Sequence, residues 1–306
     1  MIIIKLKGGL GNQMFQYAFG KNLAVKLNSE LILDLSAYRE LSLKKKLRLA
    51  RDFFRSLSSG QGIAWAKAMA HTNQRQYELR YFELDNQIAK LAGTNLPVIQ
   101  EKQNYVFEEE LLIPRDDHAY EGYFNSAKYF SEIADTIRTD FRLKPEYEST
   151  LPPDLLSSIN NHCSVSIHVR RGDYATKPTI QSYHGICGLE YYEKAITEII
   201  GHTTQPQFFI FSDDIKWCRE NIQPLFSQID PTKNIPEPIF VSGLRPYQDL
   251  ILMSRCRHQI IANSTFSWWA AWLNNNPDKI VIAPQSWLKD KNSSTPDLLP
   301  PEWLKI

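Results

Sequence analysis

The segment Cys163–Tyr174, with the sequence CSVSIHVRRGDY, indicates both the fold and the chemistry of this chain. Within it, Ser164–Val169 alternates small, β-branched and apolar residues, which is typical of a buried parallel strand. Polar side chains and one glycine come at its carboxyl end: His168, Arg170, Arg171, Gly172 and Asp173. Because open α/β sheets bind ligands at the carboxyl ends of their strands, two guanidiniums here predict a phosphate or pyrophosphate site. The structural alternative is an ion pair between one arginine and Asp173 that fixes the loop.

Composition and charge exclude several classes of protein. The 306 residues, 43% hydrophobic and 23% charged, suit a globular protein of two domains. The net charge of +1 gives no general attraction to nucleic acid, so we expect no nucleic-acid partner and only local anion sites. Four cysteines without a CxxC pair favour neither a zinc site nor a disulfide framework. The amino-terminal apolar run is too short for a signal peptide, and no window has the roughly 18 apolar residues of a membrane span, so we predict a cytoplasmic protein.

The first half of the chain begins in the order that nucleotide-binding folds use. It predicts a strand, a helix and a second strand, at Ile2–Leu6, about Gln13–Leu27 and Glu30–Leu33. Further along, Pro145–Pro153 is rich in proline and glutamate and is interpreted as an interdomain linker. We therefore predict two domains, residues 1–150 and residues 151–306.

The second half has a cleaner pattern of alternating strands and helices. Strands are predicted at Ser164–Val169, Gln207–Ser212, Pro238–Val241, His258–Ala262 and Lys279–Ala283. Helices are predicted at Leu189–Ile200, Ile215–Asn221, Pro246–Ser254 and Phe266–Asn274. This alternation predicts a doubly wound parallel sheet of Rossmann type.

A second informative segment, Asn263–Trp272, reads NSTFSWWAAW and opens a helix directly after a predicted strand. Hydroxyl residues at this place are good helix caps. A helix amino terminus also presents free N–H groups and a positive dipole end. We therefore favour a pyrophosphate cradle that includes Ser264, Thr265, Phe266 and Ser267. The tryptophans of this helix are expected to face the core: Trp268, Trp269 and Trp272.

Two further segments have weaker signals. Gly8–Gln13, GGLGNQ, allows close backbone approach to a ligand but is neither a dinucleotide fingerprint nor a Walker loop. Asp213 follows a predicted strand, where it could bind a ribose or base, or the Asp213–Asp214 pair could simply cap the next helix. The chain contains no Asp-x-Asp motif, so we expect no metal-bound nucleotide diphosphate, and arginine has to stabilise a pyrophosphate leaving group.

Together, four motifs resemble those of the α-1,2-fucosyltransferases. They are GGLGNQMFQYA at Gly8–Ala18, HVRRGDY at His168–Tyr174, WCREN at Trp217–Asn221 and STFSWWAAWL at Ser264–Leu273. The resemblance implies a GT-B fold, in which two Rossmann-like domains face a cleft. It also implies an inverting transfer of L-fucose from GDP-β-L-fucose to O2 of a terminal β-galactoside, with neither a metal nor another cofactor. The acceptor partner is then a galactose-terminated oligosaccharide or glycolipid.

The same resemblance assigns roles to residues. Arg170 matches the arginine that holds the β-phosphate of the donor, and His168 lies near the nucleotide. The remaining donor-side residues are Gly11, Gln13, Arg171, Asp213, Ser264, Thr265, Phe266 and Ser267. Asn12 lies near the reacting sugars. Asp173 is the first candidate for the general base, or else a residue that orients Arg170, and Glu190 is a more distant candidate.

Two other function classes stay open at this point. One is a fucosyltransferase of different linkage, α-1,6 or protein O-linked, and the other is a non-catalytic carbohydrate-binding relic. In addition, the run Lys44–Arg55 has six basic residues and one acid. It is either the solvated face of a helix or a peripheral contact with an anionic membrane, which would suit a lipid-linked acceptor.

Overall fold

A computed structural model describes residues 1–38, 76–85, 87–89, 96–172, 185–232, 234–289 and 294–306 of the chain, and the structural statements below concern these residues. They form two β-sheets of five and six strands in which every pairing is parallel. Helices connect the strands. The predicted α/β class is confirmed.

The first sheet has the strand order β3-β2-β1-β5-β4. Its strands are β1 (Ile2–Lys5), β2 (Leu31–Asp34), β3 (Gln87–Ala89), β4 (Val98–Gln100) and β5 (His118–Glu121). Helix α1 (Leu10–Leu27) connects β1 to β2 and begins three residues before the predicted start, directly after Gly9. It ends at Asn28, whose left-handed conformation (φ 47°) stops the helix.

Three short helices lead from the first sheet to the second: α2 (Ala134–Asp140), α3 (Pro145–Glu148) and α4 (Pro153–Asn161). The segment Pro145–Pro153, predicted as an interdomain linker, thus contains α3 and the first residue of α4, and its place between two domains stays a prediction. Its prolines stand at helix starts, where the missing N–H costs nothing. The segment is also docked, because the Thr150 carbonyl accepts a 2.9 Å hydrogen bond from Gln248. The domain boundary at residue 150 stays a prediction.

The second sheet contains the five predicted strands and one more. They are β6 (Cys163–Val169), β7 (Pro206–Ser212), β8 (Ile239–Val241), β9 (His258–Ile260), β10 (Val281–Ala283) and β11 (Leu304–Lys305). Its helices are α5 (Leu189–His202), α6 (Ile215–Asn221), α7 (Gln223–Ile229), α8 (Pro246–Arg255) and α9 (Thr265–Leu273). The order β8-β7-β6-β9-β10-β11 is the order 3-2-1-4-5-6 of doubly wound dinucleotide-binding sheets.

One hydrophobic core joins the two sheets. Helix α1 packs against α9, and the ring of Phe15 lies 4.4 Å from that of Trp268 and 4.9 Å from that of Trp269. Trp268 and Trp269 are fully buried and Trp272 is 8% exposed, so the predicted core role of the tryptophans is confirmed. Both helices begin at the carboxyl ends of their sheets, and these ends therefore meet. This is the GT-B arrangement, as predicted.

Candidate functional site

The candidate site lies where the strand order of the second sheet reverses. Strands β6 and β9 are neighbours there, although they are far apart in sequence. The residues that follow β6 begin with Arg170, and those that follow β9 lead through Asn263 into α9. Because connections leave such a pair of strands in opposite directions, a crevice forms above their carboxyl ends, and ligands bind in it. The two most informative sequence motifs thus meet at one place.

His168 forms the buried floor of this site. Its ring is 6% exposed, and its Nδ1 atom lies 2.9 Å from the hydroxyl oxygen of Ser267. The pKa of His168 is lowered to about 4, mainly by burial; Asp213 opposes this shift and the charge of Arg170 adds to it. The imidazole is therefore neutral at pH 7, and the positive charge of the site has to come from arginine.

Arg170 is held in place by Asp213. A guanidinium nitrogen of Arg170 donates to the Oδ2 atom of Asp213 at 2.5 Å. The other carboxylate oxygen of Asp213 accepts hydrogen bonds from the backbone N–H groups of Arg171 (2.8 Å) and Gly172 (3.0 Å). An acid does fix this loop, but it is Asp213 on the neighbouring strand. Asp173, the predicted anchor or base, lies outside the described residues.

Asp214, and not Asp213, caps the next helix. Its Oδ1 atom accepts from the backbone N–H of Trp217 at 3.2 Å. Its other oxygen lies 3.4 Å from the Nε atom of Arg171, whose guanidinium stacks 3.9 Å from the centre of the Trp217 ring. The guanidiniums of Arg170 and Arg171 are thus held by different partners. Arg170 is the one close to His168, and Arg171 is turned toward α6.

The start of α9 contributes the predicted hydroxyl residues, which have three different roles. Ser264 is the N-cap and accepts from the backbone N–H of Phe266 at 3.4 Å. Thr265 donates to the side chain of Asn12 at 3.0 Å. Ser267 is fully buried against His168 and is not accessible to a ligand. Ser264, Thr265 and Phe266 are partly exposed, and the Phe266 ring lies 5.5 Å from that of His168.

The glycine loop of the first sheet reaches the same place. A Cβ atom at Gly11 would lie 2.5 Å from the carbonyl carbon of Thr265, so only glycine allows this approach of α1 to α9. Gln13 is fully buried. Its side-chain Nε2 atom donates to the carbonyls of Gly8 and Gln76, and its Oε1 atom accepts from the backbone N–H of Glu78. The side chain of Gln13, predicted to bind the sugar-nucleotide donor, is therefore not accessible to a ligand in this structure. Asn12 lies at the junction of the two sheets.

Two half-buried acidic residues, Asp249 and Glu78, are not singled out by any sequence motif. Asp249 is in the first turn of α8, which packs along α9 with its amino terminus at the same end. Burial raises the pKa of Asp249 to about 7, and its carboxylate has no hydrogen-bond partner in the described part of the chain. In the sequence it resembles any acid in the first turn of a helix. Glu78 precedes a short 3₁₀ turn and had no motif to identify it.

Two further predictions concern Glu190 as a base and Lys44–Arg55 as a membrane contact. Glu190 is a surface residue that pairs with Lys194 at 2.7 Å, with its side chain 80% exposed, so it is not a candidate base. The basic run Lys44–Arg55 lies outside the described residues, and its membrane contact stays a prediction. Among the residues that the structure describes, no helix combines the length and the hydrophobicity that a bilayer crossing requires.

Comparison with known proteins identifies the family of this chain. Residues 103–306 match the model of the family described as Glycosyl transferase family 11. The chain belongs to glycosyl transferase family 11. It is 30% identical to an alpha-1,2-colitosyltransferase of Escherichia coli, over 100% of this chain and 99% of that one. It is 31% identical to the O-antigen biosynthesis glycosyltransferase WbnK of Escherichia coli, over 94% and 95% of the two chains. Identity is 25% to the galactoside 2-alpha-L-fucosyltransferase Sec1 of Mus musculus, over 92% and 67%.

Proposed function

We propose that this glycosyltransferase moves L-fucose from GDP-β-L-fucose to O2 of a terminal β-galactoside with inversion, and that it needs no metal. The observation that carries the proposal is the position of Arg170 beside neutral His168 at the switch point of the second sheet, opposite the amino terminus of α9. A guanidinium and the free N–H groups of a nine-residue helix are the donors that a pyrophosphate requires.

In this mechanism the acceptor oxygen O2 attacks the anomeric carbon from the face opposite GDP, which converts the β-linkage of the donor into an α-linkage. The bond between the anomeric carbon and the β-phosphate oxygen breaks, and its electron pair stays on the phosphate. Arg170 and the N–H groups that follow Ser264 stabilise this growing charge. Asp213 keeps the loop of Arg170 in position through the two backbone hydrogen bonds.

Asp249 gives this donor site a place for the base of the nucleotide. A half-buried carboxylate without a hydrogen-bond donor is incomplete, and a ligand can supply what is missing. The edge of guanine presents two adjacent donors, N1–H and the N2 amino group, which together match one carboxylate. We assign Asp249 to this edge, which makes the donor a guanosine diphosphate sugar.

Colitose is a second candidate for the transferred sugar. The relative that is 30% identical over the whole chain is named an alpha-1,2-colitosyltransferase. Colitose is fucose without the hydroxyl at C3, so the leaving group and the geometry of attack are the same for both sugars. The choice depends on the contacts around C3. Competition between GDP-fucose and GDP-colitose at equal concentration distinguishes the two donors.

The test is transfer from GDP-fucose to lactose, with and without EDTA, in the wild-type protein, Arg170→Ala and Arg219→Ala. Arg219 is an exposed arginine of α6 and serves as the control. We expect chelator-resistant 2′-fucosyllactose, lowered about 10²–10³-fold by Arg170→Ala and unchanged by Arg219→Ala. A different linkage in the product would assign another fucosyltransfer, and GDP binding without turnover on any galactoside would favour the carbohydrate-binding relic. Activity lost in EDTA and restored by metal would overturn the metal-free mechanism.

A further inference from the structure

When a sugar hydroxyl attacks, one proton has to be removed from it, and a carboxylate can act as the base. Several carboxylates of the described residues already accept hydrogen bonds or form ion pairs. Three acids lie at the carboxyl ends of the strands of the first sheet. Asp34 accepts from the backbone of Ser36 at 2.8 Å. Glu101 accepts from two successive backbone N–H groups at 2.6 and 3.0 Å. Glu121 lies 3.5 Å from Lys7 and 3.7 Å from Lys5. Each of these acids therefore already has its donors.

Glu78 is different, because only its backbone is bound. Its N–H donates to the Oε1 atom of Gln13 at 2.9 Å, and the Nε2 atom of Gln13 donates to the carbonyl of Gln76 at 2.8 Å. This pair of bonds fastens residues 76–78 to the first turn of α1. Glu78 is thus fixed beside Gln13, whose neighbour in the chain, Asn12, contacts the start of α9.

The other side of this segment is fastened to the second sheet. The ring of Tyr81 stacks on that of Tyr247 in α8, with centroids 4.1 Å apart, and meets Tyr147 edge-on at 4.9 Å. Leu79, between Glu78 and Tyr81, is fully buried. Glu78 is therefore held at the boundary between the acceptor-side sheet and the donor-side sheet by anchors on both sides.

The Glu78 carboxylate itself is half-buried and has no hydrogen-bond partner within the described residues. Arg80, on its own 3₁₀ turn, and Arg245, at the start of α8, are the charges that act on it. Both lower its pKa, but burial outweighs them and the pKa is raised above its usual value. The hydroxyl of the adjacent Tyr77 is also buried without a partner. Two neighbouring polar groups without partners at a domain boundary indicate a place where a polar ligand is bound.

We propose that Glu78 is the general base that takes the proton from the attacking acceptor hydroxyl, with the Tyr77 hydroxyl as a further contact to the acceptor sugar. This inference rests on the proposed function. As O2 bonds to the anomeric carbon and the bond to the β-phosphate breaks, the O2 proton moves to Glu78 and the electron pair of the broken bond leaves with GDP. A carboxylate whose pKa is raised by burial is a stronger base than an ordinary glutamate.

The experiment compares Glu78→Gln with Glu83→Gln, which changes an exposed carboxylate of the same segment. With whichever of GDP-fucose or GDP-colitose the wild-type enzyme uses, Glu78→Gln should lower kcat about 10²–10⁴-fold. The Kd for GDP should stay within about twofold, because the donor site is on the other sheet. Glu83→Gln should behave as the wild type.

The pH profile separates a base from a merely structural residue. The specificity constant kcat/KM of the wild type should fall as the pH drops through the pKa of Glu78, because the protonated acid cannot accept another proton. Glu78→Gln should lose this acidic limb, and Glu78→Asp should keep it at a lower rate. An unchanged kcat in Glu78→Gln, an equal loss of GDP binding, or disappearance of the limb in Asp173→Asn instead would overturn the proposal. A wild-type protein that transfers neither sugar to any galactoside would refute the proposed function itself.

Discussion

The hydroxyl of Thr265 donates a 3.0 Å hydrogen bond to the side-chain oxygen of Asn12, across 253 positions of sequence. Asn12 is in the first turn of α1 and Thr265 is the first residue of α9. The bond therefore joins the amino termini of two helices that belong to different sheets. Because a helix amino terminus carries partial positive charge, this junction places two such ends at one cleft. In the proposed mechanism, an anionic donor and its acceptor meet the protein there.

The junction predicts that Gly11→Ala is destabilising. A Cβ atom at position 11 would lie 2.5–2.7 Å from backbone atoms of Thr265 and Phe266, which cannot move aside as a side chain can. We expect the free energy of unfolding to fall by about 1–3 kcal/mol, the usual cost of an overpacked contact. Fucosyl transfer should fall with it, since α1 is pushed away from α9. Urea unfolding and steady-state kinetics measure the two effects.

Gly201→Ala is the matched control for this prediction. Gly201 is on the exposed side of α5, and an added Cβ atom would contact nothing within 4 Å. Alanine in a helix is favoured over glycine, so this variant should be more stable by about 0.5–1 kcal/mol. Equal stability changes in Gly11→Ala and Gly201→Ala would contradict the close contact at the junction.

Sequence reasoning succeeded where a segment has both a buried strand pattern and polar residues at its end. The sequence predicts strands at Ser164–Val169 and His258–Ala262 on this basis, and the pairing of these strands in the sheet brings His168 and Ser267 together. The Rossmann order then follows from connection rules that apply to all such sheets. For this reason the fold class and the meeting of the two motifs at one edge of the sheet could be predicted from the sequence.

The partners of individual side chains were not accessible in the same way. Asp213 and Arg170 are brought together by the pairing of β6 with β7, and no local pattern tells which of two adjacent aspartates faces the loop. The short strand β11 has two residues, both exposed, and thus shows no hydrophobic pattern. Glu78 and Asp249 are distinguished only by burial without a partner, which is a property of the folded protein and not of the sequence.

The pairing of Arg170 with Asp213 predicts a specific kinetic effect of Asp213→Asn. Both side chains are 26% exposed, so the direct ion pair itself contributes only about 1 kcal/mol. In the proposed mechanism, the ion pair orients the guanidinium of Arg170 before the leaving group forms. We expect kcat to fall about tenfold, the effect of losing 1.4 kcal/mol of transition-state stabilisation. GDP affinity should not fall, because a negative charge beside the diphosphate has been removed.

Asp214→Asn provides the comparison, since the two aspartates are adjacent and similarly placed. Asparagine caps a helix as well as aspartate does, so the hydrogen bond to the N–H of Trp217 survives this change. Its kcat should stay within about twofold of the wild type. The assignment of Asp213 is wrong if Asp214→Asn is the more damaging variant, or if Asp213→Asn weakens GDP binding while kcat is unchanged.

Asp249 predicts the base specificity of the donor. In the proposed contact, the Asp249 carboxylate accepts hydrogen bonds from N1–H and from the N2 amino group of guanine. Asp249→Asn replaces one carboxylate oxygen with an NH₂ group, which then faces an N–H group of the base. We expect GDP binding to weaken by about 10–100-fold, because the loss of a paired and partly buried charge costs about 1.5–3 kcal/mol. Binding of inosine diphosphate, which has no N2 amino group, should weaken less. Isothermal titration with both nucleotides measures this, and equal effects on them would exclude the assignment.

His168 predicts how the stability of the protein depends on pH. In the folded state its pKa is lowered to about 4, mainly by burial, whereas an unfolded chain has the ordinary value near 6.5. Between these values the unfolded chain binds more protons than the folded one, so the free energy of unfolding falls as the pH is lowered. The contribution is fully present above pH 6.5 and is lost as the pH falls toward 4, with a total size of about 3 kcal/mol.

His168→Gln tests this prediction, because glutamine does not titrate. Its free energy of unfolding should be lower than that of the wild type at pH 7.5, where the hydrogen bond to Ser267 and the packing of the ring are changed. The difference between the two proteins should shrink steadily as the pH falls from 6.5 to 4.5, since only the wild type has the histidine to protonate. Urea unfolding at several pH values gives this slope. A constant difference across the range would mean that the pKa of His168 is not lowered in the folded protein, and it would contradict a buried neutral imidazole beside Arg170.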